Sequence, residues 1–288
     1  MSNLQNNFRI VDGVLVEYCG QDNIINIPEG VIQIDRKVFF ENYAITEINF
    51  PSSIEIIGEN AFEKCYNLRK INFPSDCKLR AIFAYAFFQT GIEVFTMPSN
   101  LSLLGLGAFQ ACDKLTQITF NNVLDKIGTM SFAFCESLEK IYFPNNIMKI
   151  SMAAFYGCKL KEIKLPANIV EIGTLAFARC SLKEVHLPKS IRNIGFGAFY
   201  NRGYVIDRWQ GDTLIYKEAR EEAWSPYIIF DCTEAERKAL NLGYSWFISG
   251  CTSTESLEWE KKGLCKYCGG TYFGLFSKTC SKCGMKKI

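Results

Sequence analysis

Histidine is almost absent from this chain: one residue in 288, His186. Reactions that use an imidazole beside a serine or cysteine nucleophile therefore have a single candidate, and metal sites built from several histidines are excluded. No apolar run approaches the roughly 18 residues needed to cross a bilayer. The first residues, MSNLQNNFRI, show neither a basic stretch nor an apolar core, so no export signal is expected. Charge of either sign is not in excess, 32 Lys and Arg against 30 Asp and Glu, and no glycine-rich phosphate loop appears. With 48% apolar and 22% charged residues the chain can bury a large core. Thirteen cysteines are plentiful, but the number is odd and the chain is long. A disulfide framework is disfavoured, and a reducing compartment is the better reading.

What is present is a repeat. The stretch Ser53 to Pro74, SIEIIGENAFEKCYNLRKINFP, has apolar residues at Ile54, Ile57, Phe62, Cys65, Leu68, Ile71 and Phe73. Neither a period of 3.6 nor a period of 2 fits the whole of it, so it is not one helix or one strand. Leu68 to Phe73 alternates as a short strand, with Ile71 and Phe73 inward and Lys70 and Asn72 outward. Pro74 ends that strand, since it has no N–H for a ladder. A coil of this kind leaves apolar edges in water unless further coils stack on it.

They do recur. The inward aromatic returns at Phe39, Phe62, Phe87, Phe109, Phe132, Phe155, Phe177 and Phe199, at steps of 23, 25, 22, 23, 23, 22 and 22. Ahead of it stand Ile34, Ile57, Ile82, Leu104, Ile127, Ile150, Ile172 and Ile194, and behind it come segments such as AITEINFP, SLEKIYFP and SLKEVHLP. The long step from Phe62 to Phe87 is assigned to extra residues Ser75 to Lys78, bulging after Pro74.

The pattern L-x-x-I-x-F-P followed by S-x-I-x-x-I-G-x-x-A-F-x-x-C resembles the BspA-like class of leucine-rich repeat over about residues 8 to 219. The resemblance implies an α/β-type, right-handed leucine-rich repeat solenoid, mostly β and irregular turns. A parallel sheet would lie on its concave side, with irregular or short helical turns opposite. It also implies surface adhesion through protein binding, from which the missing export signal departs. The expected organisation is an amino-terminal β cap at 1–30, about eight repeats of 22–25 residues at 31–219, a carboxy-terminal cap at 220–262 and a small module at 263–288. Within the first cap, two β-branched runs over residues 8 to 28 predict a hairpin or meander joined through Gly20 and Asp22.

Cys65, Cys112, Cys135, Cys158 and Cys180 share one repeat position. A metal or redox ladder is one reading; small buried thiols packing coil on coil is the other, and the one adopted. Strands about 4.8 Å apart would present parallel side-chain vectors, which disulfide geometry does not accept.

The outward strand positions are free to vary and are where a partner would land. One column reads Glu47, Lys70, Val94, Gln117, Lys140, Glu162, Glu184; the other reads Asn49, Asn72, Thr96, Thr119, Tyr142, Lys164, His186. The second half gathers Tyr142, Glu162, Lys164, Glu184 and His186 as a candidate protein-binding patch, with Lys164 expected to sit between the two glutamates. A solvated polar face is the alternative. The paired carboxylates lie on a sheet with no cleft evident, so no catalytic residue is assigned and no enzymatic activity is expected.

After Phe199 the pattern loosens. Residues 200 to 230 are expected to form a last, irregular coil, with TLIYKEA as a closing strand. A helix over about 233–242 is predicted from the Thr233 and Glu236 capping box and from Gly243. With Trp246, Phe247 and Trp259 it would cover the open end of the solenoid. Finally, Cys265, Cys268, Cys280 and Cys283 form two C-x-x-C pairs, each followed by glycine, separated by 11 residues. That spacing resembles a zinc ribbon with a hairpin through Thr271 to Phe276, and predicts a structural Zn2+ site made of the four thiolates. Metal would supply the folding energy of so short a module. An iron–sulfur cluster and a thioredoxin-like redox pair are weaker alternatives.

From Lys261 onward there are seven lysines and no acidic residue, so the rest of the chain carries 2 − 7 = −5. Lys266, Tyr267, Tyr272, Lys278 and Lys282 are candidates for nucleic-acid contact, a weak case because lysine gives charge without bidentate base readout. The sequence thus points to a non-enzymatic, monomeric, cytoplasmic scaffold for an unnamed protein partner. A surface adhesin and a nucleic-acid-associated protein are the alternatives, and no membrane contact is expected.

Overall fold

The computed structural model describes residues 7–199, with the exception of 183, 196 and the side chain of Glu184. Outside that range it describes the backbone of the strands Asn3–Gln5, Tyr204–Gln210, Thr213–Glu218, Tyr227–Phe230, Tyr272–Phe273 and Thr279–Cys280. The predicted helix over 233–242, the aromatic residues after it, and Cys265, Cys268 and Cys283 lie outside the described residues. Among the described residues there are strands and turns and no helix.

The chain opens as an antiparallel meander of Asn3–Gln5, Phe8–Val11 and Val14–Tyr18. Its tight turn is Asp12–Gly13, both with positive φ (50° and 79°), not the predicted Gly20 and Asp22. An Asp-Gly pair tolerates the two left-handed positions that a two-residue hairpin loop demands. The third strand then pairs in parallel with Gln33–Ile34, and Ile24–Asn26 pairs in parallel with Glu47–Asn49. The expected cap at 1–30 therefore already holds the first rung of the array.

Each later coil contributes two strands, where the sequence pattern predicts one. In coil 2, numbered by its inward Phe62, these are Ile56–Ile57 and Lys70–Asn72. Stacked coils make two parallel ladders in which equivalent residues face each other, for example Ile57 with Ile82 and Ile48 with Ile71. The two-residue strands are too short to leave a period of 2 in the sequence, which is why only the longer strand is legible there.

Between the two strands lies a turn built on one rule. The residues two before and two after the inward phenylalanine have positive φ in coil after coil: Lys37 and Glu41, Asn60 and Lys64, Tyr85 and Gln89, Gly107 and Ala111. Apart from Asn7 and Asp12, every non-glycine residue with positive φ among the described residues sits at one of these two places, and none is β-branched. This alternation turns every second N–H toward the next coil. Asn60, Phe62 and Lys64 donate to the carbonyls of Ala84, Ala86 and Phe88 at 3.0, 2.7 and 2.7 Å. The intervening N–H groups close turns within the coil, as from Ala61 to Gly58 and from Cys65 to Phe62. The turn side is thus a third inter-coil ladder, and its backbone polar groups are satisfied without a helix.

Inside, the eight phenylalanines form one continuous stack. Neighbouring ring centroids from Phe39 to Phe199 are 4.8 to 5.6 Å apart with interplanar angles of 1–12°. Tyr18 begins the stack, 5.2 Å from Phe39 and tilted. Coil spacing is tight elsewhere too: a Cβ on Gly58 would come within 2.6 Å of the Ile34 carbonyl oxygen. Ion pairs link neighbouring coils at the surface, including Lys64–Glu41 at 2.7 Å and Lys149–Glu171 at 2.7 Å.

This packing sets the cost of single changes. Phe109→Ala removes a ring held between two others and should cost about 3–5 kcal/mol in chemical denaturation. Ala111→Gly, at a left-handed position, should be neutral or stabilising by up to about 1 kcal/mol, whereas Ala108→Gly, buried and not left-handed, should destabilise by about 0.5–1 kcal/mol. Equal effects of the two alanine changes would contradict the turn rule.

Candidate functional site

The three-residue strands present the outward columns predicted from the sequence. Parallel register sets Lys140 against Glu162 and Tyr142 against Lys164, and His186 lies on Glu184–Leu187, which pairs with Tyr227–Phe230. Tyr142 is the most exposed large apolar side chain among the described residues, at 73%. Glu162, Lys164 and His186 are exposed as well. The neutralising partner of Glu162 is Lys140 on the preceding coil, 3.2 Å away, rather than the Lys164 expected between two glutamates. Straight-across register brings Lys140 to it, whereas Lys164 lies on its own strand two residues along. The hydrogen bond to Glu162 raises the pKa of Lys140 above its ordinary value, but both groups are in water and the gain in stability is small.

At the other end of the same face an amide ladder runs along the array. Asn49 Nδ2 donates to Asn26 Oδ1 at 2.9 Å, and Asn72 Nδ2 donates to Asn49 Oδ1 at 2.7 Å and to Glu47 Oε1 at 2.7 Å. Asn26 is not in the predicted columns, because its segment reads as cap.

The sheet is not continuous. Its strands group as three, two, two and two, with interruptions after Lys70–Asn72, after Gln117–Thr119 and after Glu162–Lys164. Two interruptions open into cavities. The first, about 740 Å3, lies between coils 2 and 3 and is lined by Lys70, Asn72, Phe73, Glu93 and Val94 among others. Its near end is pinned by Arg69–Glu93 at 3.0 Å and by Glu93 N–H to the Arg69 carbonyl at 3.2 Å. The second, about 760 Å3, is lined by Phe143, Ile163, Lys164, Pro166, His186 and Pro188. Ile71 and Ile163, the inward residues beside these gaps, are half-buried where their equivalents Ile48, Phe95, Ile118 and Ile141 are buried. The sequence carries a signal for the first gap. Four residues, Ser75 to Lys78, separate Pro74 from Leu79 where only Ser52 and Ser53 separate Pro51 from Ile54, an insertion of two beside this gap.

The five repeat cysteines are buried in the core. Their thiols donate across the coils: Cys65 Sγ to the Phe39 carbonyl at 3.0 Å, Cys135 to Phe109 at 3.3 Å, Cys158 to Phe132 at 3.1 Å and Cys180 to Phe155 at 3.2 Å. Cys112 reaches both the Phe87 carbonyl and Thr90 Oγ1. Burial pushes the thiols of Cys65 and Cys112 up to about 12, from an ordinary 9.0, and raises Cys135 and Cys180 as well. A thiol so protonated is neither nucleophile nor metal ligand. Among the described residues no group of three or more His, Cys, Asp or Glu stands ready to hold a metal ion.

Of the carboxy-terminal candidates, the structure describes backbone alone. Tyr272–Phe273 pairs antiparallel with Thr279–Cys280, which places the Tyr272 and Cys280 positions opposite each other. Lys266, Tyr267, Lys278, Lys282 and the other three cysteines lie outside the described residues.

A family model described as the BspA type leucine rich repeat region, six copies, matches residues 3–116 and 80–206. The chain belongs to this family. Leucine-rich repeat proteins of known structure are also its neighbours in fold. One from Bacteroides ovatus ATCC 8483 superposes with a TM-score of 0.52 at 24% identity, over 68% of this chain and 59% of that one. The T. pallidum leucine-rich repeat protein superposes with a TM-score of 0.51 at 25% identity, over 65% of this chain and 80% of that one. Comparison with curated proteins finds no match. No helix among the described residues is long and apolar enough to cross a membrane.

The buried thiols generate a pH prediction. The pKa values of Cys65 and Cys112 are higher folded than unfolded, so the stability these two lend is full below about pH 9 and is lost as pH rises toward about 12. Stability measured by denaturant should fall across that window, and a Cys65→Ala, Cys112→Ala variant should show a shallower fall. An identical slope in both proteins would refute the assignment.

Proposed function

We propose that this BspA-type repeat protein is a non-enzymatic scaffold that holds a protein partner on the strand face of coils 5 to 7. The observation that carries the proposal is the exposed Tyr142 ring, beside Lys164 and the cavity that Lys164 shares with His186. An exposed aromatic next to a half-open apolar cleft is the type of anchor that dominates protein interfaces. Charged residues around it, Lys140, Glu162 and Lys164, supply orientation and rate more than affinity. Repeat proteins of this class bind partners through such extended surfaces.

The cytoplasm is the proposed location; a role at the cell surface, as an adhesin, is the competing reading, and cell fractionation separates the two. For residues 263–288 we propose a structural Zn2+ held by Cys265, Cys268, Cys280 and Cys283. Support comes from the two C-x-x-C pairs and from the antiparallel pairing of Tyr272–Phe273 with Thr279–Cys280, the hairpin that a ribbon needs between its knuckles. The basic tail gives nucleic acid as a secondary reading.

Two measurements test these proposals. Affinity capture from the native cell with the intact protein and with a Tyr142→Ala, Lys164→Glu variant should lose the main partner by about tenfold or more, the equivalent of about 1.4 kcal/mol; undiminished capture by the variant would sink the patch. Metal analysis of protein purified without chelator should find about one equivalent of zinc, lost on changing Cys280 and Cys283 to serine. Well under one equivalent in the intact protein would argue against the ribbon.

A further inference from the structure

The ring that follows a long strand has a recurring neighbour. Phe50, Phe120 and Phe143 each meet the axial ring of the next coil edge-on: Phe62 at 6.0 Å, Phe132 at 6.3 Å and Phe155 at 5.6 Å, with interplanar angles of 73–84°. Phe73 holds the same repeat position and Phe87 is the axial ring of the next coil, yet these two make no ring contact. Among the described residues Phe73 meets one ring only, that of Phe50, stacked at 4.7 Å and 7°. Phe50 belongs to coil 1, so the face of Phe73 turned toward coil 3 has no ring against it. The column continues there with Met97, not with a phenylalanine.

That open face lies in the first of the two cavities, about 740 Å3, with Ile71, Val94 and Met97 as its other apolar lining. Its size is that of a site for a small ligand or a side chain. Inter-coil bonds flank it at both ends. On one side stand the Arg69–Glu93 pair and the Glu93 N–H to Arg69 carbonyl bond; on the other, Asn100 Nδ2 donates to the Cys77 carbonyl at 2.9 Å. The space is therefore a slot in the strand face, which admits a side chain but not a strand running through it.

The polar lining specifies what enters. Its cations are already paired, Arg69 with Glu93 at 3.0 Å and Lys70 with Glu47 at 3.2 Å. Charge complementarity thus favours a neutral group over an ion, whose lost hydration the slot would not repay. One hydrogen-bonding atom stays open. Asn49 and Asn72 both turn Nδ2 toward the preceding coil, and Asn72 Nδ2 is taken by Asn49 and Glu47. Asn72 Oδ1 accepts from no described residue, and the aligned amides behind it strengthen it as an acceptor. A neutral ring that carries one N–H or O–H donor satisfies the free ring face and the free acceptor together.

We propose that the slot between coils 2 and 3 is a second docking site, which takes a tryptophan or tyrosine side chain of a protein partner. The ring lies against the free face of Phe73 and its N–H or O–H donates to Asn72 Oδ1. An aliphatic side chain fills the slot without using the amide, and a charged one enters without a counter-ion. The site stands on its own geometry and does not rest on the Tyr142 patch of coils 5 to 7.

The test uses the full chain and N-acetyl-5-fluorotryptophanamide, followed by fluorine NMR; it needs no partner, so its failure and that of the Tyr142 patch are separate results. The signal should broaden and saturate at about 1 mM or below, the strength expected of one side chain. Methylating the indole nitrogen of the probe should weaken binding about two- to tenfold, the value of one hydrogen bond. Phe73→Leu should weaken it about two- to tenfold through loss of the ring contact. No saturable binding, or equal binding by Phe73→Leu, would overturn the site, and equal binding of the methylated probe would overturn the donation to Asn72. Saturation by 5-fluoroindole with none by the amide would overturn a protein side chain as occupant and assign the slot to a free aromatic molecule. Should Phe73→Leu fail to fold, judged by its denaturation midpoint, Val94→Glu carries the same expectation and the same overturning result; glutamate already stands in that column at Glu47 and Glu162.

Discussion

Equivalent backbone atoms of successive coils must meet at hydrogen-bonding distance on three ladders at once. Two are parallel β ladders and the third is the turn ladder, in which alternating left-handed residues send N–H groups to the next coil. Once coil spacing is fixed in this way, a residue facing inward has its equivalents about 5 Å away on either side. Flat rings suit that spacing, because offset stacking is favourable at such separations, and the eight phenylalanines fill the axis from end to end. A small thiol suits the corner beside five of the rings, where its S–H reaches the carbonyl of the previous phenylalanine. The cysteine column is therefore a hydrogen-bonding part of the core, and the raised pKa values of Cys65, Cys112, Cys135 and Cys180 are a consequence of that burial.

The same ladders explain which parts of the molecule are legible in the sequence. Phe39 to Phe199, the aliphatic residues five positions earlier and the cysteines are repeated because the ladders impose one environment on each column. Their spacing yields the solenoid and the outward columns directly. The left-handed positions are not legible, because what they impose is an exclusion: Lys, Glu, Asn, Tyr, Gln, Ala, Met, Phe, Leu and Arg all occur there, and no β-branched residue or proline does. The amino-terminal hairpin turn is encoded by the Asp12–Gly13 pair, whereas Gly20 and Asp22 merely have the composition of a loop. Ion-pair partners such as Lys140 with Glu162 depend on register across coils. The repeat alignment contains that register, but the charges of a single strand do not.

Part of what distinguishes this array from a generic one lies where a coil departs from standard length. Between coils 2 and 3, where two extra residues lie between Pro74 and Leu79, the sheet is split and a cavity opens. About twenty residues more separate Phe199 from Ile228 than separate Phe177 from Val185, and they carry the hairpin of Tyr204–Gln210 with Thr213–Glu218. A substitution on an outward column changes one contact; a change in coil length redirects the chain and alters an entire face. Surface chemistry in this protein is therefore set on two scales, by side chains such as Tyr142 and Lys164 on the strands, and by changes in coil length that redirect the chain.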